Sequence, residues 1–392
     1  MLTFSRSILN EYMPGKLYRI KTTMANSNLS NKSLRPPGGR FSRALLWWNR
    51  KSNTRSMPWK GETDPYRIWI SEIILQQTRV EQGWLYYERF IKEFPSIGEL
   101  ARAPEQKVFK LWEGLGYYTR CRNLMATAHI IENRHNGQFP KEYQQILNLK
   151  GVGPYTAAAI ASFAFNLPYA VVDGNVYRVI SRVFGIAKPI DTSKGKAHFS
   201  TLAGELLNRK NPATYNQAIM DFGATVCKPQ APLCNTCVMK KFCRAYALGK
   251  TEILPVKSKR TSIKERWFNY FILRYGNRVY IRQRQGKDIW QKLYEFYLHE
   301  SSKKLEVKQI HDKLSAILPE SSSFQVTRIS NVHRQKLTHQ HLSGQFIEVV
   351  MGKPLADKGE FELVPFNKLK RLAFPKFIIS YLQEKNVNLS QD

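Results

Sequence analysis

The chain has 392 residues, enough for two or three domains of ordinary size. Lys and Arg number 61 against 30 Asp and Glu, a formal charge of +31, while the hydrophobic fraction of 43% is that of a globular protein. Self-repulsion on that scale points to a polyanionic partner, nucleic acid before a membrane surface. No stretch reaches the roughly 18 uninterrupted apolar residues of a membrane-spanning helix; the most apolar run, Thr156–Phe165, stops at Asn166 and Pro168.

Residues 1–38 are basic and polar, with Glu11 as their one acid and no continuous apolar core. A basic disordered arm is expected there, with an organellar transit segment or a start at Met24 as alternatives. From Phe41 to about Ala247 the pattern is helical almost throughout. Arg43–Arg50 reads as a short, amphipathic, turn-rich stretch that includes Trp47 and Trp48. Tyr66–Phe94 repeats apolar residues at helical spacing, first Ile70, Ile73 and Ile74, then Trp84, Phe90 and Ile91. Further helices are predicted over Glu105–Trp112, Arg120–His135, Tyr143–Leu149, Tyr155–Phe165, Gly174–Phe184, Ser193–Leu207 and Pro212–Gly223. Gly114, Gly116, Gly151, Gly153 and Pro168 punctuate them. Leu254–Arg260 reads as a basic linker. Trp267–Arg284 then alternates as strands do, with Tyr275-Gly276-Asn277 as a hairpin turn and Val279 and Ile281 on one face. Leu305–Leu318 is helical and Gln345–Met351 strand-like. The expected organisation is a mostly α domain over 39–248, a linker over 249–265, a smaller α+β domain over 266–384 and a tail over 385–392.

Four of the five cysteines, Cys227, Cys234, Cys237 and Cys243, are spaced C-x6-C-x2-C-x5-C, with Cys121 alone. Tight clustering and an odd total do not resemble a disulfide framework and suggest metal ligation in a reducing compartment. Four thiolates so close in sequence suit either a tetrahedral zinc or a 4Fe–4S cluster. In Leu149-Lys150-Gly151-Val152-Gly153-Pro154-Tyr155 the two glycines permit a tight reversal between helices. Pro154 stands where a helix would open, and free amides at its positive dipole end can grip a phosphate. In so basic a chain, Gly151, Val152 and Gly153 read as a helix-hairpin-helix element for sequence-independent DNA binding, with a purely structural turn as the alternative. Two acids have apolar neighbours. Glu72 lies within Trp69-Ile70-Ser71-Glu72-Ile73-Ile74-Leu75, where desolvation would raise its pKa and suit it to general-acid work at neutral pH. Asp173 precedes Gly174 at a helix start, so it reads as an N-cap that stays ionised and can face a developing positive charge. One protonated and one ionised carboxylate suit cleavage of a bond from sugar to leaving group through an oxocarbenium-like state.

Together these features resemble the MutY-type adenine DNA glycosylases of the helix-hairpin-helix, iron–sulfur superfamily, over roughly Ser42–Ser380. Met57-Pro58-Trp59 and the run from Asp64-Pro65-Tyr66 to Gln76-Gln77-Thr78 resemble the family's adenine-pocket segment. Gly114-Leu115-Gly116-Tyr117-Tyr118 resembles its DNA wedge, and Val172-Asp173-Gly174-Asn175-Val176 and the cysteine spacing complete the set. The resemblance implies a helical helix-hairpin-helix glycosylase domain with an iron–sulfur loop, followed by a Nudix-like α+β domain, and it selects a 4Fe–4S cluster over zinc. It implies that Glu72 protonates adenine N7 and that Asp173 stabilises the oxocarbenium or captures the sugar transiently, with Asn175 and Tyr155 assisting. Gln77 and Tyr117 would enter the base stack while adenine is extruded; Trp59 and Arg55 would line the adenine pocket. Lys60 stands where some relatives have Arg, and an ammonium cannot make the planar fork.

Endonuclease III-like relatives have a Lys where Tyr155 stands, and Tyr cannot form an imine, so a monofunctional enzyme leaving an abasic site is expected. The C-terminal domain lacks the R-E-x-x-E-E run of Nudix hydrolases after Glu295, which argues against pyrophosphatase activity. Lys336-Leu337-Thr338-His339 aligns with the family's F-S-H loop for the oxidised base, with Leu337 for Phe and Thr338 for Ser. His333, His339 and His341 have a minor metal cluster as an alternative reading. The implied partner is double-stranded DNA with an A:8-oxoguanine or A:G mispair, bound by a monomer and not at a membrane. The implied location is bacterial cytoplasm, with nucleus and mitochondrion as alternatives. Rival functions are a catalytically silent iron–sulfur damage sensor, disfavoured by the two acids, and a bifunctional endonuclease III-like enzyme, disfavoured by Tyr155.

Overall fold

Helices carry the chain from Gly38 to Ala247, and their buried faces explain their lengths. The computed structural model describes residues 38–258, 262–318, 323–355 and 357–385. The predicted arm over 1–38 and tail over 385–392, save Gly38 and Lys385, lie outside the described residues, as do Lys259, Arg260 and Thr261 of the linker. The helices are α1 (Gly38–Ser52), α2 (Pro65–Leu75), α3 (Val80–Glu93), α4 (Ile97–Arg102), α5 (Glu105–Trp112), α6 (Tyr118–Arg134), α7 (Tyr143–Leu147), α8 (Pro154–Phe165), α9 (Gly174–Phe184), α10 (Ser193–Leu206), α11 (Pro212–Thr225) and the short α12 (Arg244–Ala247).

Two helical expectations change. Arg43–Arg50 is no turn-rich stretch but the middle of α1, whose Phe41, Leu45 and Trp48 are buried one turn apart. Trp48 meets Phe222 of α11 edge-on at 5.0 Å and Phe41 meets Phe184 of α9 at 5.6 Å, so tertiary burial makes this helix. The Tyr66–Phe94 pattern is two helices. Asp64 caps α2 by accepting the Tyr66 N–H, and Pro65 takes the first helical position. The helix ends at Leu75, and the chain turns through Gln77, whose φ is 58°. The Arg120 guanidinium takes the carbonyls of Ile73, Ile74 and Gln76 that a continuing helix would use, an interaction that local periodicity does not carry. The α4 helix, with a capping box between Ser96 and Glu99, is an element not predicted above.

The C-terminal domain is a mixed sheet flanked by helices. Its elements are β1 (Lys264–Tyr275), β2 (Arg278–Gln283), β3 (Tyr294–Glu295), β4 (Tyr297–Ser301), α13 (Val307–Ile317), β5 (Phe324–Ile329), β6 (His333–Lys336), β7 (Gln340–Met351), β8 (Glu362–Pro365) and α14 (Lys376–Glu384). Strand β1 is central, parallel to β7 from Lys264↔Gln340 to Arg274↔Val350 and antiparallel to β4. Both its faces are covered, which is why Tyr270–Leu273 is a continuous apolar run. The β1–β2 turn falls at Gly276 and Asn277, and Val279 and Ile281 share one buried face while Tyr280 serves the other. Strand β7 begins five residues before the predicted Gln345, pairing with β6 through its extra residues.

One hydrophobic core runs from α2–α8 into one face of the sheet, a second lies under α1 and α9–α11, and a third under the sheet's other face and α13. At the junction Glu113 accepts a hydrogen bond from the Phe374 N–H at 2.8 Å and pairs with Lys110 at 2.8 Å, while Lys110 also donates to Leu372 O at 3.2 Å. Arg122 donates to Gln291 O at 3.0 Å and Gln106 to the Tyr294 hydroxyl at 2.8 Å. These bonds place the loop that follows Glu113 beside the β6–β7 hairpin. The chain after α12 lies along the helical domain, with Arg182 donating to Leu254 O and Ile190 N–H to Val256 O, both at 3.0 Å. No described helix is long and apolar enough to cross a membrane.

Candidate active site

Helix α2, the α8 start and the loop before α9 converge on a cavity of about 460 Å³. Glu72, Tyr155, Asp173, Asn175, Trp59 and Arg55 all line it. Glu72 is only 6% exposed, on the helix that packs against α8. Burial pushes its carboxyl up to about 7; a hydrogen bond from the Tyr155 hydroxyl pulls it down, and the Asp173 charge adds to the rise. Near neutral pH, therefore, the group exists in both protonation states. Burial and the two acids hold the Tyr155 phenol well above the usual tyrosine value, so it keeps its proton and donates.

Asp173 caps α9, accepting the Val176 N–H at 2.7 Å on one oxygen and Asn175 Nδ2 at 2.7 Å on the other. Burial lifts its carboxyl above the ordinary value, and the expectation of a simply ionised cap is amended to that extent. Those bonds and the Arg178 charge work the other way, all favouring the carboxylate. Glu72 has one such donor. The two acids thus share a cavity, and Asp173 has more groups around it that favour the ionised form than Glu72 has.

The wall is set by a second buried acid. Asp221, fully buried on α11, binds Arg55 Nη1 at 2.9 Å and Lys60 Nζ at 3.0 Å. Asn53 and Gln217 add a hydrogen bond each at 2.9 Å. Lys60 also donates to Arg55 O at 2.6 Å, so its ammonium serves as a brace where no planar fork is needed. The Trp59 ring is held edge-on by Tyr87 at 5.3 Å, with Trp84 beyond at 6.4 Å.

Gly151, Val152 and Gly153 form the hairpin between α7 and α8. Gly151 has φ 78°, and a Cβ there would lie 2.6 Å from the Asn123 side chain, so this turn needs glycine. Thr127 Oγ1 donates to Lys150 O at 2.8 Å and seats the hairpin on α6. The Val152 side chain is buried and its N–H donates to Leu149 O at 3.1 Å, which leaves the glycine amides as what this hairpin offers outward, with Pro154 opening α8. Gln77 and Tyr117 are both exposed, Tyr117 by 42%. Tyr117 shares a second cavity of about 400 Å³ with Leu337, Thr338 and His339, the turn between β6 and β7. The Tyr117 hydroxyl hydrogen-bonds Thr338 Oγ1. Leu337 packs half-buried against the core, whereas Thr338 and His339 are exposed. The alternative histidine cluster does not form: His341 pairs with Glu265 at 2.9 Å and His333 lies 3.4 Å from Glu384.

The four clustered cysteines lie on the loop after α11 and form no disulfide. Burial raises Cys237 to about 11 against the Met239 N–H that it accepts, and the nearby Cys227, Cys243 and Cys234 charges raise it further. Cys234 and Cys243 are raised by burial and by their cysteine neighbours in the same way. Arg182 Nη1 lies 3.6 Å from Cys227 Sγ. Mutually close thiols with N–H donors and a guanidinium beside them fit a soft, multi-thiolate group. Among the described residues, no three His, Cys, Asp or Glu side chains converge on a single-ion site.

Residues 70–204 match the family model of the HhH-GPD superfamily base excision DNA repair proteins, and residues 269–384 match the NUDIX domain. The adenine DNA glycosylase of Buchnera aphidicola subsp. Baizongia pistaciae is 35% identical over 318 residues, covering 80% of this chain and 87% of that protein. The chain belongs to the adenine DNA glycosylases. It is an enzyme that excises adenine from DNA in base excision repair. The Rattus norvegicus adenine DNA glycosylase is 41% identical over 227 residues, covering 55% of this chain and 44% of that protein. A solved thermostable thymine-DNA glycosylase superposes with a TM-score of 0.51 at 30% identity, over 54% of this chain and 97% of that one.

Three residues that brace the elements around the candidate site were not singled out from the sequence. Asp221 sits in Ala218-Ile219-Met220-Asp221-Phe222, the same acid-in-apolar-run signal that singled out Glu72. Arg178, buried on α9, donates to Asn175 Oδ1, Gly223 O and Cys227 O, each at 2.7 Å, and so joins the Asp173 cap to the cysteine loop. Arg120 reaches two loops at once. A basic residue on a helix ordinarily faces solvent, and nothing local distinguishes these two arginines from their neighbours.

Proposed function

We propose that the chain is a monofunctional glycosylase that removes adenine paired with 8-oxoguanine or guanine and leaves an abasic site. The observation that carries this is one cavity holding two carboxyls, Glu72 lifted to about 7 beneath a single donor and Asp173 ringed by groups that favour its ionised form. Glu72 delivers a proton to adenine N7. The bond from N9 to the sugar then breaks with its electron pair leaving on the base, and positive charge develops on the sugar beside Asp173. Asn175 and Tyr155 keep the two acids apart in role, the first by its bond to Asp173 and the second by its bond to Glu72. Water adds to the sugar carbon and its proton leaves to solvent. Tyr155 offers no amine, which supports hydrolysis without Schiff-base strand cleavage.

Trp59 and Arg55 form the adenine pocket, the ring stacking against the base and the guanidinium held at the rim by Asp221. The hairpin of Gly151, Val152 and Gly153 grips the backbone through the amides of its two glycines, the Val152 amide being bonded to Leu149 O. Gln77 and Tyr117 enter the duplex, and Leu337, Thr338 and His339 read the oxidised guanine, a reading supported by the cavity that Tyr117 shares with that turn. One chain supplies both the cavity and the reading turn, in keeping with action as a monomer on double-stranded DNA. Cys227, Cys234, Cys237 and Cys243 hold a 4Fe–4S cluster, which supplies a cross-link that fixes the cysteine loop rather than any chemistry at the sugar.

A single-turnover assay on a duplex with one A:8-oxoguanine pair, with and without hot alkali and beside Glu72→Gln, tests this. Alkali-dependent breaks from the unaltered chain and none from the variant are expected. Breaks without alkali, or a borohydride-trapped complex in high yield, would overturn the monofunctional reading. No breaks at all from folded, cluster-loaded protein would leave a silent DNA binder.

A further inference from the structure

The two exposed residues read as DNA wedges share an unusual backbone. Gln77 has φ 58° and Tyr117 has φ 49°. Neither is glycine, so each conformation persists only where its surroundings hold it. In both cases the carbonyl immediately before the residue is held by the same guanidinium. Arg120 Nη1 reaches Gln76 O, together with Ile73 O at 2.8 Å and Ile74 O at 2.9 Å. Arg120 Nη2 faces Gly116 O at 3.4 Å and Leu115 O at 3.5 Å, with Thr78 Oγ1 at 3.5 Å. Its carbon lies 5.3 Å from the centre of the Tyr117 ring and 5.5 Å from that of Trp112. Ile73 and Ile74 belong to the last turn of α2, the turn that carries Glu72, and their carbonyls are ones the helix itself leaves open.

We propose that Arg120 is a positioning residue that holds Gln77 and Tyr117 in one register and ties both to the end of the helix carrying Glu72, so that base extrusion and placement of the acid are coupled. The proposal rests on the reading of Gln77 and Tyr117 as wedges. A helix cap alone needs only the α2 carbonyls. The second set of contacts, to Leu115, Gly116 and the Tyr117 ring, contributes nothing to ending α2 and bears only on the wedge loop. Spanning both sets takes a planar fork of fixed donors; a lysine ammonium at the same place can serve one set at a time.

The test uses the full chain with Arg120→Lys, which keeps the charge and most of the stem. On a duplex with 2-aminopurine opposite 8-oxoguanine, the rate of the fluorescence rise that reports extrusion is expected to fall at least tenfold. Single-turnover excision of adenine should fall with it, while affinity for an undamaged duplex stays within about twofold because the hairpin at Gly151–Gly153 is untouched. Combined with Tyr117→Ala, the loss should be no larger than the greater single loss; losses that multiply would overturn the coupling. Gln77→Ala and Tyr117→Ala that both extrude at the unaltered rate would overturn the wedge reading and this proposal with it. Wedge variants that slow extrusion beside an Arg120→Lys that does not would overturn this proposal alone. Should Arg120→Lys fail to fold, hydrogen exchange in the unaltered protein decides. The Thr78 and Leu115 amides, bonded to Leu75 O and Trp112 O, are expected to open together with one denaturant dependence, and separate openings would refute it.

Discussion

In the cavity at Glu72 the charged groups each have a fixed partner: Glu72 has Tyr155, Asp173 has Asn175, Glu62 has Arg67, and Arg55 and Lys60 share Asp221. In the cleft at Tyr117 and Thr338 the two groups that meet are hydroxyls on exposed side chains, with an imidazole beside them and Arg122, Asp288, Lys336 and Lys376 elsewhere in the lining. The first arrangement stores electrostatic energy before any ligand arrives, because desolvated charges are arranged around the place where charge must develop. In the second, what Tyr117 and Thr338 offer is a hydrogen-bonding pattern that a base edge can satisfy or fail to satisfy. Chemistry and discrimination are thus placed in separate cavities of one molecule. Losses in the first should be large and pH-dependent, losses in the second small and selective.

The largest expected effect is at Glu72. Glu72→Gln should lower single-turnover excision by about 10³-fold, the usual range for a general acid, and leave binding of the mispaired duplex intact. Excision by the unaltered chain should decline as pH rises through about 7, where the proton on Glu72 is lost. The same proton has a stability consequence. The folded chain holds it up to about 7 while the unfolded chain releases it near 4.5. Stability is therefore greatest at low pH on this account and falls as pH rises through that window, by about 3 kcal/mol if nothing else titrates. Glu72→Gln should accordingly melt above the unaltered protein at pH 8 and close to it at pH 5. A variant that melts lower at pH 8 would show that Glu72 does not carry this cost.

Asp221 comes next, and it separates holding from reacting within the same cavity. Asp221→Asn leaves Arg55 and Lys60 facing a neutral amide beneath the pocket wall. Breaking such a buried pair costs about 3 kcal/mol, so the melting temperature should fall by several degrees. The pH dependence of excision should stay that of Glu72. A shifted pH profile would place Asp221 in the proton chemistry instead.

Glu72 and Asp221 also show how far the sequence could be read. Both are acids inside apolar helical runs, and composition alone assigns them the same unusual burial. What separates them is a partner on another element, a phenol from α8 for one and two cations from the loop after α1 for the other, and no local pattern encodes that. The helices of the N-terminal domain were legible because their apolar faces repeat over many turns. The break at Gln77 was not, since neither Gly nor Pro marks it and the residue that ends α2 lies 44 positions beyond Gln76. The short strands β3, β4, β5, β6 and β8 were missed for a related reason: strands of two to six residues are defined by the neighbours they pair with, not by their own periodicity.

In the second cavity the effects should be an order of magnitude smaller. Thr338→Val removes the hydroxyl that meets Tyr117 and keeps the shape. It should reduce the preference for A:8-oxoguanine over A:G by about fivefold, the worth of one neutral hydrogen bond of about 1 kcal/mol, with excision from A:G nearly unchanged. Equal losses on both duplexes would mean that Thr338 positions the turn and does not read the base.

Leu337→Phe is the smallest and the most diagnostic change. Leu337 is half-buried against the shared core while its backbone N–H donates to Gln340 O at 2.7 Å, closing the turn. The side chain therefore anchors the turn from below, and a ring there has to find room beside Tyr117 in the 400 Å³ cavity. If that room suffices, the added aromatic surface should tighten binding of the 8-oxoguanine duplex by about threefold, within the range of one modest aromatic contact, and leave the excision step alone. If the core is already filled, the ring will push the turn outward, and the variant will lose discrimination as Thr338→Val does. The two outcomes differ in sign, so an affinity titration on the two duplexes decides whether leucine at this position is a gap in the reading surface or a fitted part of the core.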